Sequence, residues 1–428
     1  MKPDFDLLIV GGGMVGACFA ALAAGQRELA ELRIALLDAH PPTLPPPDTD
    51  VDLRVSAVSR ASQRILESVA AWSKIPERHR SEYTEMRVWD AGGQPHGAGS
   101  IQFSASATSE RCLGSIIENR RLQWALYESS ALRQRVTVLR AELSGLELAD
   151  EQAIATLADG RRITAALVVG ADGAASVSRR LAGIDTRGWS YQQHAFVTHV
   201  STTLPHRHTA WQRFLPTGPI AFLPLADGRS SIVWTTTPEH AQQLVAAAPE
   251  QLAAELEAAL GTLDGRAGDA ESGAERAESV LGRITVAGPR AHFPLKLTHA
   301  QVYAKPRFVL VGDAAHAVHP LAGQGVNLGF LDCAALVQVL AQALAAGGNV
   351  ASLAELRVLR RYERWRKSEN TLALGLIDGL NRLFSNADPV LSVARRLGLA
   401  SVNRSAFAKR WLIGRAMGIA GDSPEIVR

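Results

Sequence analysis

Gly11, Gly13 and Gly16 stand at G-x-G-x-x-G spacing directly after the apolar run Asp6–Val10, and Asp38 closes the next apolar run 22 residues beyond Gly16. Residues of these types can bind a dinucleotide. The glycines permit a tight turn and close backbone approach to a pyrophosphate, Met14 and Val15 open a helix whose N-terminus would face it, and a carboxylate accepts hydrogen bonds from ribose hydroxyls. Two later segments, Val168-Val169-Gly170-Ala171-Asp172-Gly173 with Ser176 and Arg179 following, and Val309-Leu310-Val311-Gly312-Asp313, also lead an apolar run into Gly and Asp. An Asp at such a turn can hold a polyol chain or brace N–H groups that face a phosphate. Pro320-Leu321-Ala322-Gly323-Gln324-Gly325-Val326-Asn327 places glycines where a flat ring could lie on main chain, with a second helix start just beyond. The first fingerprint alone leaves NAD and FAD undecided; the later segments favour a flavin dinucleotide.

These segments need elements to position them. Asp6–Val10 and Arg33–Leu37 read as buried strands around a small-residue helix from Val15 to Ala24, the opening of a βαβ unit. Residues 40–52 are Pro-rich and form a surface excursion. Helical spacing resumes near Ser59, with Ile65, Leu66, Val69 and Trp72, and Glu118–Leu132 is again helical. Val136–Leu139, Glu142–Leu148, Ala153–Leu157 and Leu167–Val169 read as strands. Strand-like pieces between Met86 and Phe103, and the alternation through Phe196–Val200, Trp211–Leu215 and Ile232–Thr236, predict a separate, mostly antiparallel sheet. Residues 261–278 read as a loop, Arg307–Val311 as a buried strand, 325–346 as a long helix, and everything from Ser352 onward as helical. The expected architecture is α/β, with a Rossmann-like domain assembled from 1–80, 112–187 and 291–354, a β-sheet domain from 81–111 and 188–290, and a helical region over 355–428.

With 428 residues, 47% of them hydrophobic, the chain can bury several cores. A net charge of +3 is too small to imply nucleic-acid binding. Cys18, Cys112 and Cys333 form no C-x-x-C pair, which favours a reducing, cytoplasmic setting and excludes a zinc site of cysteines. His316 and His319, like His206 and His208, lack a third ligand at a convincing spacing, so no metal is expected. No nucleophile–histidine–carboxylate set is discernible. The uncharged stretches Leu7–Gln26 and Cys333–Ala354 are interrupted by glycines or amides, so both read as buried segments, not membrane spans.

The four segments together resemble the FAD-dependent aromatic hydroxylases of the para-hydroxybenzoate hydroxylase type. Asp52-Leu53-Arg54-Val55-Ser56-Ala57, Ile116-Ile117-Glu118-Asn119, Ala221-Phe222-Leu223-Pro224-Leu225, Val233-Trp234, His319–Gly329 and Arg415-Ala416-Met417-Gly418 are similar to the ubiquinone-biosynthesis hydroxylases, nearest the bacterial 2-polyprenylphenol branch. Two positions depart from the wider class: Asp38 stands where many such proteins have Glu, and Asn119 where many have Arg. The resemblance implies FAD, NAD(P)H as a transient reductant with no second fingerprint of its own, and O2. It implies a C4a-hydroperoxide of the reduced flavin that is attacked by an electron-rich polyprenylated phenol. It places Arg54, Pro320, Gly323 and Gln324 at the reacting ring. As cofactor contacts it implies Gly11, Gly13, Met14, Val15, Gly16, Asp38, Arg54, Asn119, Asp172, Gly312, Asp313, Gly323, Gln324, Gly325, Val326 and Asn327.

Trp211, Phe214, Phe222 and Trp234 could line an aromatic substrate pocket or form the core of the sheet. Rivals are a flavin enzyme acting on another aromatic substrate, or a non-catalytic flavoprotein in a ubiquinone-biosynthesis assembly. A halogenase is disfavoured because Gly188-Trp189-Ser190 lacks its Trp and Ile-Pro cluster. Glu355–Arg428 carries 14 Lys+Arg and 7 Asp+Glu, an excess of +7 (14 − 7). The stripe Leu372, Leu376, Leu380, Leu383 and Phe384, with Arg364, Arg366, Lys367 and Arg382 nearby, could rest peripherally on an anionic inner-membrane surface or cap the nucleotide domain.

Overall fold

Phe5–Val10 pairs in parallel with Ile34–Leu37 on one side and Arg162–Gly170 on the other. Val136–Leu139 extends this parallel sheet at one edge and Phe308–Leu310 at the other. The computed structural model describes residues 2–46, 49–97, 99–261, 280–317, 324–384, 398 and 405–428. Leu7, Leu8, Ile9, Leu167, Val168 and Val169 are all buried, as the continuous apolar runs of a parallel sheet covered on both faces are. The opening helix, Met14–Gly25, packs against Gln324–Ala345, where Cys333 Sγ donates to Val15 O at 3.2 Å. Gly325–Ala345 is long and apolar enough to span a bilayer, yet two thirds of it is buried inside the protein as a core helix.

A nine-stranded sheet forms the second layer. Its spine, Thr186–Thr202, pairs antiparallel with Ser230–Thr236 and Ala291–Ala300, and Gly218–Pro224 and Thr209–Leu215 follow outward. The sheet is not purely antiparallel: Glu85–Asp90 joins Thr209–Leu215 in parallel. Two helices that the β-like composition had hidden, Pro238–Ala246 and Pro249–Leu260, cover one face. Each begins with Pro in the first turn, where the missing N–H costs nothing, and Thr237 caps the first of them through its side chain. The expected helix Glu118–Leu132 is two helices, Asn119–Tyr127 and Ser130–Arg135, because Ser129 accepts from Leu132 N and starts a new one. The antiparallel strands Val55–Ser59, Gly114–Glu118 and Ser81–Tyr83 form a third, small sheet between the two layers. The loop expected at 261–278 lies, beyond Gly261, outside the described residues.

Candidate functional site

At the end of the first strand Gly11 adopts φ +101°, and a Cβ there would lie 2.7 Å from Ala171 O. A side chain at Gly16 would overlap the Gly11 carbonyl, and one at Gly12 would overlap Asp38 and Tyr127. Gly13 differs, for a Cβ added to it meets nothing within 4 Å. It is also the N-cap of the opening helix, with no side-chain cap and no acidic residue in the first turn. Unpaired N–H groups and the positive helix end, beginning at Met14 and Val15, therefore face open space, the arrangement a pyrophosphate requires. Gln123 holds this loop by donating to Gly12 O at 2.8 Å.

Asp38 accepts from His40 N at 3.1 Å and from the Tyr127 hydroxyl. Burial, and then the bond to Asp38, push the Tyr127 phenol above its ordinary range, so it stays a donor. Asp172 is occupied within its own turn by Ser176 Oγ at 2.5 Å, Ser178 N at 2.8 Å and Ser178 Oγ at 2.7 Å. It braces backbone and presents no free carboxylate. Buried Arg179 then joins two turns, donating to Ala174 O at 3.1 Å and Ala314 O at 2.7 Å. Gly312 has φ +60°, and a Cβ there would lie 2.9 Å from Val15 Cγ1, leaving no room for a side chain; Asp313 beside it is exposed.

Arg54 is exposed and lies 5.8 Å from the centre of the Phe293 ring. Its backbone is fixed by Asp52 Oδ1, which accepts from Arg54 N at 2.8 Å, and by Asn119 N, which donates to Arg54 O at 3.0 Å. The Asn119 side chain accepts from Ser56 Oγ at 2.7 Å. The Asn327 side chain serves the fold. It is buried and bonds Ser59 N, Ser62 Oγ and Ala57 O, pinning the long core helix to the small sheet. Gly325 and Val326 lie in the first turn of that helix, as does Gln324, of whose side chain nothing is described. Pro320 and Gly323 lie outside the described residues.

The aromatic pocket expectation needs correction for three residues. Trp211, Phe222 and Trp234 share one sheet face with Phe196 and Trp89, packed under the helices Pro238–Ala246 and Pro249–Leu260 as closed core. Phe214 falls on the opposite face, against Val88 and Ile101. That opposite face is the one toward the nucleotide layer, since Phe293 meets Arg54 there and Leu223 packs against Ala57 and Ile116.

Behind the Gly312 turn lies a polar cluster with no local signature in the sequence. Asp332, fully buried, accepts from His316 Nε2 at 2.5 Å, Arg366 Nε at 2.8 Å, Asn370 Nδ2 at 3.1 Å and Gly312 N at 3.1 Å. Burial alone would raise its pKa, but His316 and Arg366 outweigh that and hold it at about 2. Tyr303 stacks on His316 and bonds His299 Nε2 at 2.8 Å. Burial, then His316 and Lys367, lower the His299 pKa to about 4. A histidine held neutral in the fold binds its proton more readily when unfolded, so its stabilising contribution is present above pH 6.5 and lost as pH falls toward 4. Urea midpoints are expected to drop between those values by roughly 1–2 kcal/mol of stability, after solvent screening, and less in His299→Gln. An identical slope in that variant would contradict the assignment.

A family model described as an FAD binding domain matches residues 4–279 and 282–367. The chain is 34% identical to the 3-demethoxyubiquinol 3-hydroxylase of Escherichia coli, over 97% of this chain and 98% of that protein. It is 36% identical to ubiquinone hydroxylase UbiL of Rhodospirillum rubrum, covering 98% and 91%. The chain belongs to the ubiquinone-biosynthesis FAD hydroxylases. Human mitochondrial ubiquinone biosynthesis monooxygenase COQ6 is 35% identical over 93% of this chain and 89% of its own. Among solved structures, p-nitrophenol 4-monooxygenase PnpA from Pseudomonas putida superposes with a TM-score of 0.72 at 16% identity, covering 97% and 99%. That likeness shows the hydroxylase fold. Its cofactor is FAD, and the open cradle at Gly13, the uncapped helix end and Asp38 fit it.

Proposed function

We propose that the protein is an FAD-dependent monooxygenase that uses NAD(P)H and O2 to hydroxylate the ring of a polyprenylated phenol in ubiquinone biosynthesis. The observation that carries this is the facing of two layers: a built FAD cradle on one side, and on the other a sheet face whose Phe293 meets Arg54. FAD, when bound, supplies the electrons that let one oxygen atom of O2 enter the ring. The chain's residues bind and orient. The N–H groups after Gly13 would take the pyrophosphate, Asp38 the ribose, and the turn at Gly312 and Asp313 the ribityl side. Arg54 offers fixed positive charge at the edge of the reacting centre, and the apolar sheet face keeps water away.

Purified holoprotein given a short-tailed 2-prenylphenol should oxidise NAD(P)H faster and form the dihydroxylated ring. Reductant consumption indifferent to the phenol, with no product, would favour the non-catalytic reading. The lipid that accumulates in a strain lacking the protein identifies which ring carbon it hydroxylates.

The substrate's tail belongs in a bilayer, and the C-terminal helices suit peripheral contact with one. Leu356–Phe384 buries Tyr362, Arg366 and Asn370 against the nucleotide layer. Leu372, Leu376 and Leu383 stay 43%, 38% and 39% exposed, and Phe407 and Trp411 of Ala406–Ala416 stay 76% and 42% exposed. Exposed apolar side chains beside Arg364 and Lys367 match the chemistry of an anionic lipid surface. The combined substitution Leu372→Ser, Leu376→Ser and Phe407→Ser is expected to weaken binding to anionic vesicles by about a hundredfold, at roughly 1 kcal/mol per side chain withdrawn. Equal sedimentation of both forms with vesicles would remove the membrane role.

A further inference from the structure

His199 is fully buried in the strand Thr186–Thr202, and neither of its ring nitrogens has a hydrogen-bond partner. Beside it across the ladder stands Ser231, also buried, whose Oγ is likewise unpartnered. Buried polar groups are nearly always bonded, and each one left unsatisfied costs about 1–3 kcal/mol. Two adjacent side chains thus keep polar atoms that the fold itself does not satisfy.

Strand alternation fixes the direction in which they point. Phe196 and Val200 face the covering helices within the closed core. Ala195, Val197 and His199 must then face the other way, and Ala195 pairs with Phe293, which meets Arg54. Ser231 also pairs with Leu223, which packs against Ala57 and Ile116 of the small sheet. His199 thus lies on the face turned toward the cofactor layer, about 13 Å along the strand from the Phe293 level at roughly 3.3 Å per residue.

We propose that His199 and Ser231 form a closed polar end beside the substrate site that opens to the arriving phenol and holds its ring hydroxyl, with His199 accepting its hydrogen bond. The inference rests on the hydroxylase reading and adds the residues that recognise the substrate. A phenol that donates to a neutral imidazole gains electron density on oxygen and, through it, on the ring carbons, which helps a ring that must attack an electrophilic oxygen. His199 suits that role. Burial, and then the nearby charge of Arg229, lower its pKa against the opposing pull of Asp227, Asp50 and Asp52, so it is neutral near pH 7. Ser231 can donate to the same oxygen while His199 accepts from it.

The test compares a short-tailed 2-prenylphenol with its methyl ether, which has the same ring but no hydroxyl to donate. Dissociation constants are read from the change in flavin absorption on titrating the holoprotein. The wild type should prefer the phenol by about tenfold, the worth of one neutral hydrogen bond formed where it would otherwise be missing. His199→Leu should bring the ratio near one with FAD content unchanged, His199→Gln should restore part of it, and Ser231→Ala should lower it. A lost fold would affect both ligands alike, so the ratio separates recognition from structure, and Ser231→Ala decides should His199→Leu fail to fold. An undiminished preference in His199→Leu, or in Ser231→Ala where that variant decides, overturns the proposal. If the wild type binds phenol and ether alike but still hydroxylates the phenol, this inference falls and the hydroxylase reading stands; if it neither binds nor hydroxylates the phenol, both fall.

Discussion

Asp332→Ala is expected to destabilise the protein by about 3–5 kcal/mol and to lower its FAD content in parallel. Asp332 is 0% exposed and Arg366 2% exposed, so the pair is out of reach of solvent. Removing the carboxylate leaves the Arg366 guanidinium buried without its counter-charge, and leaves Gly312 N and His316 Nε2 without the acceptor that both use. Water does not reach the site to replace it. Because Asp332 holds the Gly312 amide directly, the turn carrying Asp313 loosens together with the fold, and FAD retention should fall with stability. Asp332→Asn keeps the shape and one carbonyl acceptor but loses the charge, so it should sit between wild type and alanine. The double variant Asp332→Leu with Arg366→Met should recover part of the stability, since a well-packed apolar pair often equals a buried ion pair. Its FAD affinity should recover less, since the Gly312 amide stays unbonded. Guanidinium unfolding with flavin absorption in the same samples measures both quantities. An alanine variant within about 1 kcal/mol of wild type would show that the cluster contributes little.

The contrast with the glycine loop explains what could be read from the residues in order and what could not. Gly11, Gly13, Gly16 and Asp38 act through a strand, a turn and a helix that are neighbours in the chain, so their spacing carries their geometry. The parallel order of the central strands followed from their continuous apolar runs. Asp332, by contrast, meets Arg366 34 residues later and His316 16 residues earlier. Only the packing of two long helices brings them together, and no local period encodes that. The aromatic grouping of Trp211, Phe214, Phe222 and Trp234 ignored strand alternation, which sets Phe214 on the face opposite the other three. Which face would be sealed depended on two helices whose Pro-led starts, Thr237-Pro238 and Ala248-Pro249, were the available and overlooked cue. Once those helices cover the aromatic face, the face left toward the nucleotide layer is the one bearing His199 and Phe214.

Gly13→Asp is expected to separate cofactor binding from folding more sharply than any other single change in the cradle. A side chain at Gly11, Gly12 or Gly16 would collide with neighbouring atoms, so substitutions there damage fold and site together. Gly13 has φ −61° and ψ −178°, a conformation that any residue adopts, and open space around its Cβ. An aspartate at this N-cap can accept from the free N–H groups of the first turn and complements the positive helix end. The apoprotein should therefore be as stable as wild type, or more stable by about 0.5–1 kcal/mol. The same carboxylate occupies the donors that the pyrophosphate needs and sets a negative charge against it. FAD affinity should fall by about a hundredfold or more, on the order of 3 kcal/mol for two lost charge-assisted bonds. Gly13→Ala adds volume without charge or a competing acceptor, and should lose far less. Thermal unfolding of the apoproteins, together with fluorescence titration of FAD, gives the two numbers. An aspartate variant that binds FAD as tightly as the alanine variant would mean that the helix N-terminus does not face the phosphates.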